Sequence, residues 1–257
     1  MIYLGCSGWA YQEWKENFYG GSSPSLQYYS HFFNAVEVDS TYYSIPSVKT
    51  VHSWIQRHFP GVNFSVKLPG EISHGEFDSD YKIGVWKRFR ESVVEPILKV
   101  QGYLNVMMTI PPGIHDIESY ITGISEISSS FEGLCIEPRT GNRNEYREYS
   151  RIIRSHGFIP VSVDNFHLHL SGIEGNRNIC YIRLHGRNPS FLKAGSGMEK
   201  FNYAYSGKEL EEIGQEIIGA KERFKEVYIF FNNHPNGNAP MNAGELSHIL
   251  GLRRTLL

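Results

Sequence analysis

Glu37, Asp39, Glu137 and Asp164, set against Lys67, Arg139 and Arg183, are the side chains whose types and spacing could do chemistry in this chain, with His185 able to take either charge state. Each lies in a short run of alternating polar and apolar residues and falls on the polar parity. Two carboxylates facing one cavity can divide acid and base roles when their surroundings separate their pKa values, or can hold a divalent cation. Glu37 and Glu137 are that pair, and His185 can move a proton near neutral pH. These three are the expected proton-transfer groups. The competing reading of Glu37 and Glu137 is that Lys67, Arg139 or Arg183 neutralises them and they only organise the centre of the fold. Arg183, two residues before His185 on the same parity, offers a fixed fork to a carboxylate or phosphate, or bridges to Glu137 or Asp164. Lys67 could serve as a Schiff-base amine if it were neutral, but carboxylates of the same parity favour the charged form and hence an ion pair. Lys67, Arg139, Asp164, Arg183, Tyr205 and Asn232 make up the expected ligand-binding set.

Other signals are weaker. Glu37, Glu137, Asp164 and His185 have the ligand types for a divalent metal ion, yet no H-x-H or H-E-x-x-H spacing reinforces them. His167 and His169 do form an H-x-H, but beyond the sixth run, where it reads as incidental. There is no GxGxxG, Walker loop or G-x-S-x-G, so a nucleotide cofactor and a serine-hydrolase mechanism have no direct support. The segment from Gly186 to Gly207, with Lys193, Lys200, Tyr203 and Tyr205, is long enough to be a binding loop or lid. Trp9, Tyr11 and Trp14 could present rings to a sugar face, although core packing accounts for at least two of them.

Eight β-branched or aromatic runs position these residues: Ile2 to Trp9, Ala35 to Thr41, Asn63 to Pro69, Tyr103 to Pro111, Gly133 to Arg139, Ile159 to Asn165, Ile179 to Gly186 and Glu226 to Asn233. Helical stripes separate them: Val48, Val51 and Ile55; Trp86, Phe89, Val93 and Ile97; Ile117, Ile121 and Ile124; Tyr146, Tyr149 and Ile153; Leu210, Ile213, Ile217 and Phe224. This alternation yields βαβ units and a parallel sheet. An open sheet covered on both faces reads as continuous apolar runs. Here only one parity is apolar throughout. The other turns polar towards the end of each strand, where barrel active sites are built. The expected fold is therefore α/β, a single TIM-type (β/α)8 barrel of parallel strands occupying residues 1–257 as one domain.

Composition narrows the class further. The chain has 257 residues, 25 Lys+Arg against 27 Asp+Glu, and a formal net charge of −2. Such a balance does not support a protein whose main task is gripping nucleic acid. Three separated cysteines, Cys6, Cys135 and Cys180, fit neither a disulfide framework nor a zinc knuckle. No basic n-region precedes an apolar h-region, and no run of eighteen apolar residues occurs, so a cytoplasmic protein without a membrane span is expected. The partner expected is a small-molecule ligand. The 16 Tyr, 15 Phe and 11 His suit walls packed on one side and wet on the other.

At these strand ends the chain resembles the YecE-like proteins of domain of unknown function 72. The resemblance is carried by G-C-S-G-W-A-Y-Q-E-W (Gly5 to Trp14) with Phe18-Tyr19, F-N-A-V-E-V-D-S-T-Y-Y-S-I-P (Phe33 to Pro46), F-S-V-K-L (Phe64 to Leu68) and His74. It continues through Ile110-Pro111-Pro112, C-I-E-P-R (Cys135 to Arg139), R-L-H-G (Arg183 to Gly186), Y-A-Y-S (Tyr203 to Ser206) and F-F-N-N with Gly237, Ala239 and Asn242-Ala243. It implies a TIM-type barrel and brings no established reaction, although such proteins are loosely grouped with sugar isomerases. The chain departs from the family's usual residues at Asp39, Ser44, Thr109, Pro138 and Thr140. The function expected is acid–base chemistry, isomerase- or hydrolase-like, on a small polar, sugar-like or anionic metabolite at the barrel mouth. Two alternatives are a metal-dependent phosphodiester or nucleic-acid hydrolase, and a barrel that binds without catalysis.

Overall fold

The computed structural model describes residues 1–57, 61–74, 78–128, 131–189 and 197–252. The eight alternating runs become eight strands: β1 (Ile2–Ser7), β2 (Ala35–Val38), β3 (Asn63–Lys67), β4 (Asn105–Thr109), β5 (Leu134–Glu137), β6 (Ile159–Asn165), β7 (Ile179–Gly186) and β8 (Glu226–Phe231). They pair in chain order and close as a parallel barrel, the fold class expected from strand parity. The helices are α1 (Leu26–Tyr29), α2 (Val48–Arg57), α3 (Gly70–Ser73), α4 (Ser79–Phe89), α5 (Glu95–Gln101), α6 (Ile117–Ile127), α7 (Arg143–Ser155), α8 (Gly207–Arg223) and α9 (Asn238–Ile249).

The apolar parity is dry: Val36, Phe64, Val66, Leu134, Ile136, Ile182, Leu184 and Ile229 are each at most 2% exposed. Each such side chain contributes roughly 1.5–3 kcal/mol when fully buried. The opposite parity is equally buried, with Ser65, Asn105, Cys135 and Tyr181 at most 1% exposed. The interior is thus a packed core and not a pore, as barrel geometry with this strand number requires.

Several strands are shorter than their alternating runs. Asp39–Tyr42 is a 3-10 turn after β2, and Arg139 lies beyond β5. The Thr41 hydroxyl there sits 3.0 Å from the Lys67 amide N, which donates to it, and 2.6 Å from the Lys67 carbonyl. A side chain therefore takes over the ladder where the backbone of β2 has turned away, and the period of two carries on without a strand. The stripe Trp86, Phe89, Val93 and Ile97 is buried as expected, but it runs through a π-helical segment, Arg90–Val94, between α4 and α5. In α7 the buried face is Tyr146, Ser150 and Ile153, leaving Tyr149 only partly covered.

The residues group into two compact units, each discontinuous in sequence. The first comprises Met1–Glu37, His58–Asn63 and Ser162–Leu257; the second, Val38–Arg57 and Phe64–Val161. In the first, β1 pairs with both β2 and β8, bringing Ser7 opposite Glu37 and Cys6 opposite Phe231. Gly5 is required at this seam, since a Cβ there would lie 1.9 Å from the Ala35 carbonyl oxygen. The Tyr29 hydroxyl bridges the same place, donating to Ala35 O at 2.9 Å and accepting from the Cys6 amide at 2.7 Å. In the second unit β3, β4 and β5 are successive neighbours, with Lys67 opposite Met107 and Thr109 opposite Glu137.

Candidate functional site

The first unit carries three polar assemblies, all at or beyond the C-terminal ends of its strands or just beneath them. The deepest is built on Glu37, which is wholly buried. Its Oε1 accepts from Ser7 Oγ at 2.5 Å and from Arg183 Nε and Nη2 at 3.1 and 2.7 Å; its Oε2 accepts from Tyr181 OH at 2.5 Å. Tyr181 and Arg183 share a parity on β7, so one strand delivers both donors. A buried ion pair survives desolvation only when its remaining lone pairs are satisfied, and here both carboxylate oxygens are. Proton transfer by Glu37 would require breaking this set. Glu37 is thus held by three side chains, Ser7, Tyr181 and Arg183.

Above it lies Asp164, at the end of β6 and also wholly buried. Arg187 grips it with two parallel donors, Nε to Oδ1 at 3.0 Å and Nη2 to Oδ2 at 2.8 Å. The Tyr205 hydroxyl donates to Oδ1 at 2.8 Å, and the Leu170 amide donates to Oδ2 at 2.8 Å. Arg187 then reaches Glu209 Oε1 at 3.2 Å, and Tyr203 OH donates to the same oxygen at 2.7 Å. Glu209 is also the third residue of a capping box at the start of α8, with Ser206 as its N-cap. Burial pushes the Tyr205 hydroxyl well above the usual tyrosine range, reinforced by the Asp164 charge. Burial likewise raises Tyr203, with Glu209 adding to it, to about 12. Burial alone would raise Glu209, but the Ser206 and Tyr203 hydrogen bonds and Arg187 hold it below the usual carboxylate range. Arg187 therefore serves Asp164. Arg187 continues the parity of Arg183 and His185 but lies one step past the run that ends at Gly186, where a φ of +87° turns the chain. A side chain at Gly186 would also meet Tyr203 Cβ at 2.6 Å. Tyr205 is fixed in the wall, its hydroxyl accepting from the Gly186 amide at 2.8 Å.

The third assembly centres on Asn232, just past β8. Its side-chain amide nitrogen lies 3.0 Å from His185 Nδ1, and its backbone carbonyl lies 3.0 Å from His234 Nδ1. An amide NH2 only donates and a carbonyl only accepts. With the Asn232 amide in this orientation, a neutral His185 accepts at Nδ1 and carries its proton on Nε2. His234 Nδ1 is the donor, which leaves the His234 lone pair on Nε2. One asparagine thus holds two imidazoles in opposite tautomers, His185 at 5% and His234 at 7% exposure. The Phe201 ring lies 5.8 Å from His185 and 5.7 Å from His234, centroid to centroid. Tyr11 stacks on His234 at 4.8 Å, and Trp14 Nε1 donates to the His234 carbonyl at 2.8 Å. Trp14 is completely buried, while Trp9 and Tyr11 keep partial exposure. His234 was absent from the expected set, although extending the β8 parity by one step, from Tyr228 through Phe230 and Asn232, reaches it.

The second unit holds Lys67, Glu137 and Arg139. Lys67 Nζ lies 3.6 Å from Asp39 Oδ1 and 5.0 Å from the centre of the Tyr42 ring. Glu137 ends β5 at 7% exposure, and Arg139 is exposed beyond it. The structure thus joins Glu37 with Arg183, Asp164 with Tyr205, and His185 with Asn232. The donor set proposed for a divalent ion does not fit one. Among the described residues no three His, Cys, Asp or Glu side chains converge, and the oxygens of Glu37 and Asp164 are taken by arginine and hydroxyl donors. The His167 amide donates to Asn165 Oδ1 in the turn after β6. Lys193 lies outside the described residues. No described helix is long and apolar enough to cross a membrane.

Comparison with known proteins agrees with the motif resemblance. The family model described as "Protein of unknown function DUF72" matches residues 3–257. UPF0759 protein YunF of Bacillus subtilis is 23% identical over 98% of this chain and 95% of its own length. UPF0759 protein YecE of Escherichia coli is 32% identical over a segment covering 29% of this chain and 26% of its own. The crystal structure of a DUF72 family protein from Thermotoga maritima is 28% identical and superposes with a TM-score of 0.79, over 98% of this chain and 99% of that one.

Proposed function

The chain belongs to the DUF72 family of proteins of unknown function, and on that footing we propose that it is an enzyme performing acid–base chemistry on a small hydroxylated carbonyl metabolite. The observation that carries this reading is the pair of imidazoles held in opposite tautomers by Asn232. A neutral imidazole that donates an N–H can polarise a carbonyl oxygen, and a second neutral imidazole can take a proton from the adjacent carbon. His185 is assigned the first role and His234 the second. The faces of Tyr11 and Phe201 suit the apolar face of a sugar-like ligand. Arg183 and Glu37 fix β7 beneath His185, and Asp164 with Arg187 and Tyr205 fixes the chain immediately after it.

The test is to incubate the protein in D2O with a panel of aldoses, ketoses and 2-hydroxy acids, and to follow the carbon-bound protons by NMR. The proposal expects loss of a proton signal next to the carbonyl of one compound. Ligand binding without any exchange or turnover would replace it with the binding-barrel reading. We also propose that the chain acts in the cytoplasm and unfolds as one domain. Calorimetry should then show one transition whose calorimetric and van't Hoff enthalpies agree; two resolved transitions would assign separate domains to the two units.

A further inference from the structure

His185 and His234 are both buried, and the Phe201 ring is packed on the two of them. Its centroid lies 5.8 Å from one and 5.7 Å from the other, whereas a molecule between two such faces needs about 7 Å, twice a carbon–carbon contact of about 3.5 Å. Phe201 therefore stands where a ligand touching both imidazoles would lie. It ends a 3-10 helix, Gly197–Phe201, and what fixes the chain changes at Tyr203. From Tyr203 onward the backbone is held by the amides of the buried Asn233 and Asn242. Asn233 Nδ2 donates to the Tyr203 carbonyl at 2.8 Å, and Asn242 exchanges two bonds of 3.0 Å with the Tyr205 backbone. Before Tyr203 the bonds are exposed or only partly covered. Asn188 Nδ2 donates to the Glu199 and Asn202 carbonyls at 3.0 and 2.9 Å, and Asn202 Oδ1 accepts from Asn236 Nδ2 at 3.0 Å and from Asn238 Nδ2 at 3.3 Å. Asn236, at φ +59°, is set in place by Asn17 Nδ2, which donates to its carbonyl at 2.9 Å, and by Glu13 Oε2, which accepts from its amide at 3.3 Å. Exposed hydrogen bonds are exchanged for bonds to water with little net loss, so the stretch before Tyr203 opens more readily than the stretch after it.

We propose that Phe201 is a gate over the imidazole pair and that Asn202 is its catch. When Asn236 and Asn238 release Asn202 Oδ1, the residues Glu199 to Asn202 swing about Tyr203 and carry the Phe201 ring off both histidines. The inference rests on the reading of His185 and His234 as the reacting groups, since only a ligand that touches both rings requires Phe201 to leave. Opening then precedes every proton transfer, and it lowers the apparent affinity for the ligand by the fraction of molecules that are open. Closed, the ring keeps water from the imidazoles while no ligand is bound.

The experiment is timed labelling with diethyl pyrocarbonate, which acylates neutral imidazole nitrogens, read residue by residue by peptide mass spectrometry. His234 is the reporter, because the Asn232 amide occupies Nδ1 of His185, and the exposed His52 and His248 are the references. The proteins are the wild type, Phe201→Ala, Asn236→Gly and the pair Asn236→Gly with Asn238→Ala. Wild-type His234 should react about tenfold or more slowly than the references. Phe201→Ala and the paired catch variant should each speed it about tenfold, Asn236→Gly by a smaller factor, and Phe201→Ala joined to the catch pair should add nothing further, because both act on one gate. Asn236 is exposed and glycine accepts its φ, so the catch is tested even if Phe201→Ala fails to fold. No acceleration at His234 in the catch variants, or one no larger than the change at His52 and His248, would overturn the proposal. The labelling uses no substrate, so the gate can fail while proton exchange in D2O is observed, and exchange can fail while the gate is observed.

Discussion

Replacing His185 with alanine is expected to lower turnover of the exchanging metabolite by about two to four orders of magnitude, the usual contribution of one positioned proton-transfer group. The mutation removes the Nε2–H donor and leaves the Asn232 amide without its imidazole acceptor. Because His185 is buried, the unfolding temperature of the variant is measured alongside, so that loss of fold and loss of chemistry are told apart. The loss should fall mainly in kcat, because the hydrogen bond to a carbonyl oxygen strengthens as charge develops there. His234→Ala should produce a loss of similar size, and the double variant should be little worse than either single one, since the two rings act as a unit. Turnover within about threefold of wild type in His185→Ala would remove this histidine from the mechanism.

The largest effect on stability is expected at Arg183. Arg183→Met leaves Glu37 wholly buried beside two hydroxyl donors but without the two guanidinium hydrogen bonds. Breaking one partner of a buried pair costs about 3–5 kcal/mol, a large share of the roughly 5–15 kcal/mol that holds a typical protein folded. Glu37→Gln combined with Arg183→Met removes the stranded charge, and should recover a substantial part of the loss. Urea denaturation of the two single variants and the double variant checks this. A loss below about 1 kcal/mol in Arg183→Met would show that the pair contributes little and that Glu37 is not anchored by it.

Much of the barrel was legible because strand side chains alternate faces and only one parity had to be apolar. Strand ends were less so. The alternation around Asp39 and Thr41 continued through a 3-10 turn, because the Thr41 hydroxyl bonds the Lys67 backbone as a strand would. At the site, residue types were readable but partners were not. Glu37, Asp164 and Arg183 all stood on the expected parity, yet which cation met which carboxylate depended on Gly186, whose positive φ swings Arg187 onto Asp164. His234 lay one parity step beyond Asn232 and was within reach of the same rule. The tautomers were out of reach, because they follow from a side-chain amide and a carbonyl of one residue facing two different rings.

Those tautomers are the centre of the account, and 15N NMR of imidazole-labelled protein at a pH where both rings are neutral reads them directly. His185 should be protonated on Nε2, with its Nδ1 shift typical of an acceptor nitrogen, and His234 should be protonated on Nδ1. The same tautomer in both rings, or His185 protonated on Nδ1 with the Asn232 amide turned over, would contradict the division of acid and base roles between them.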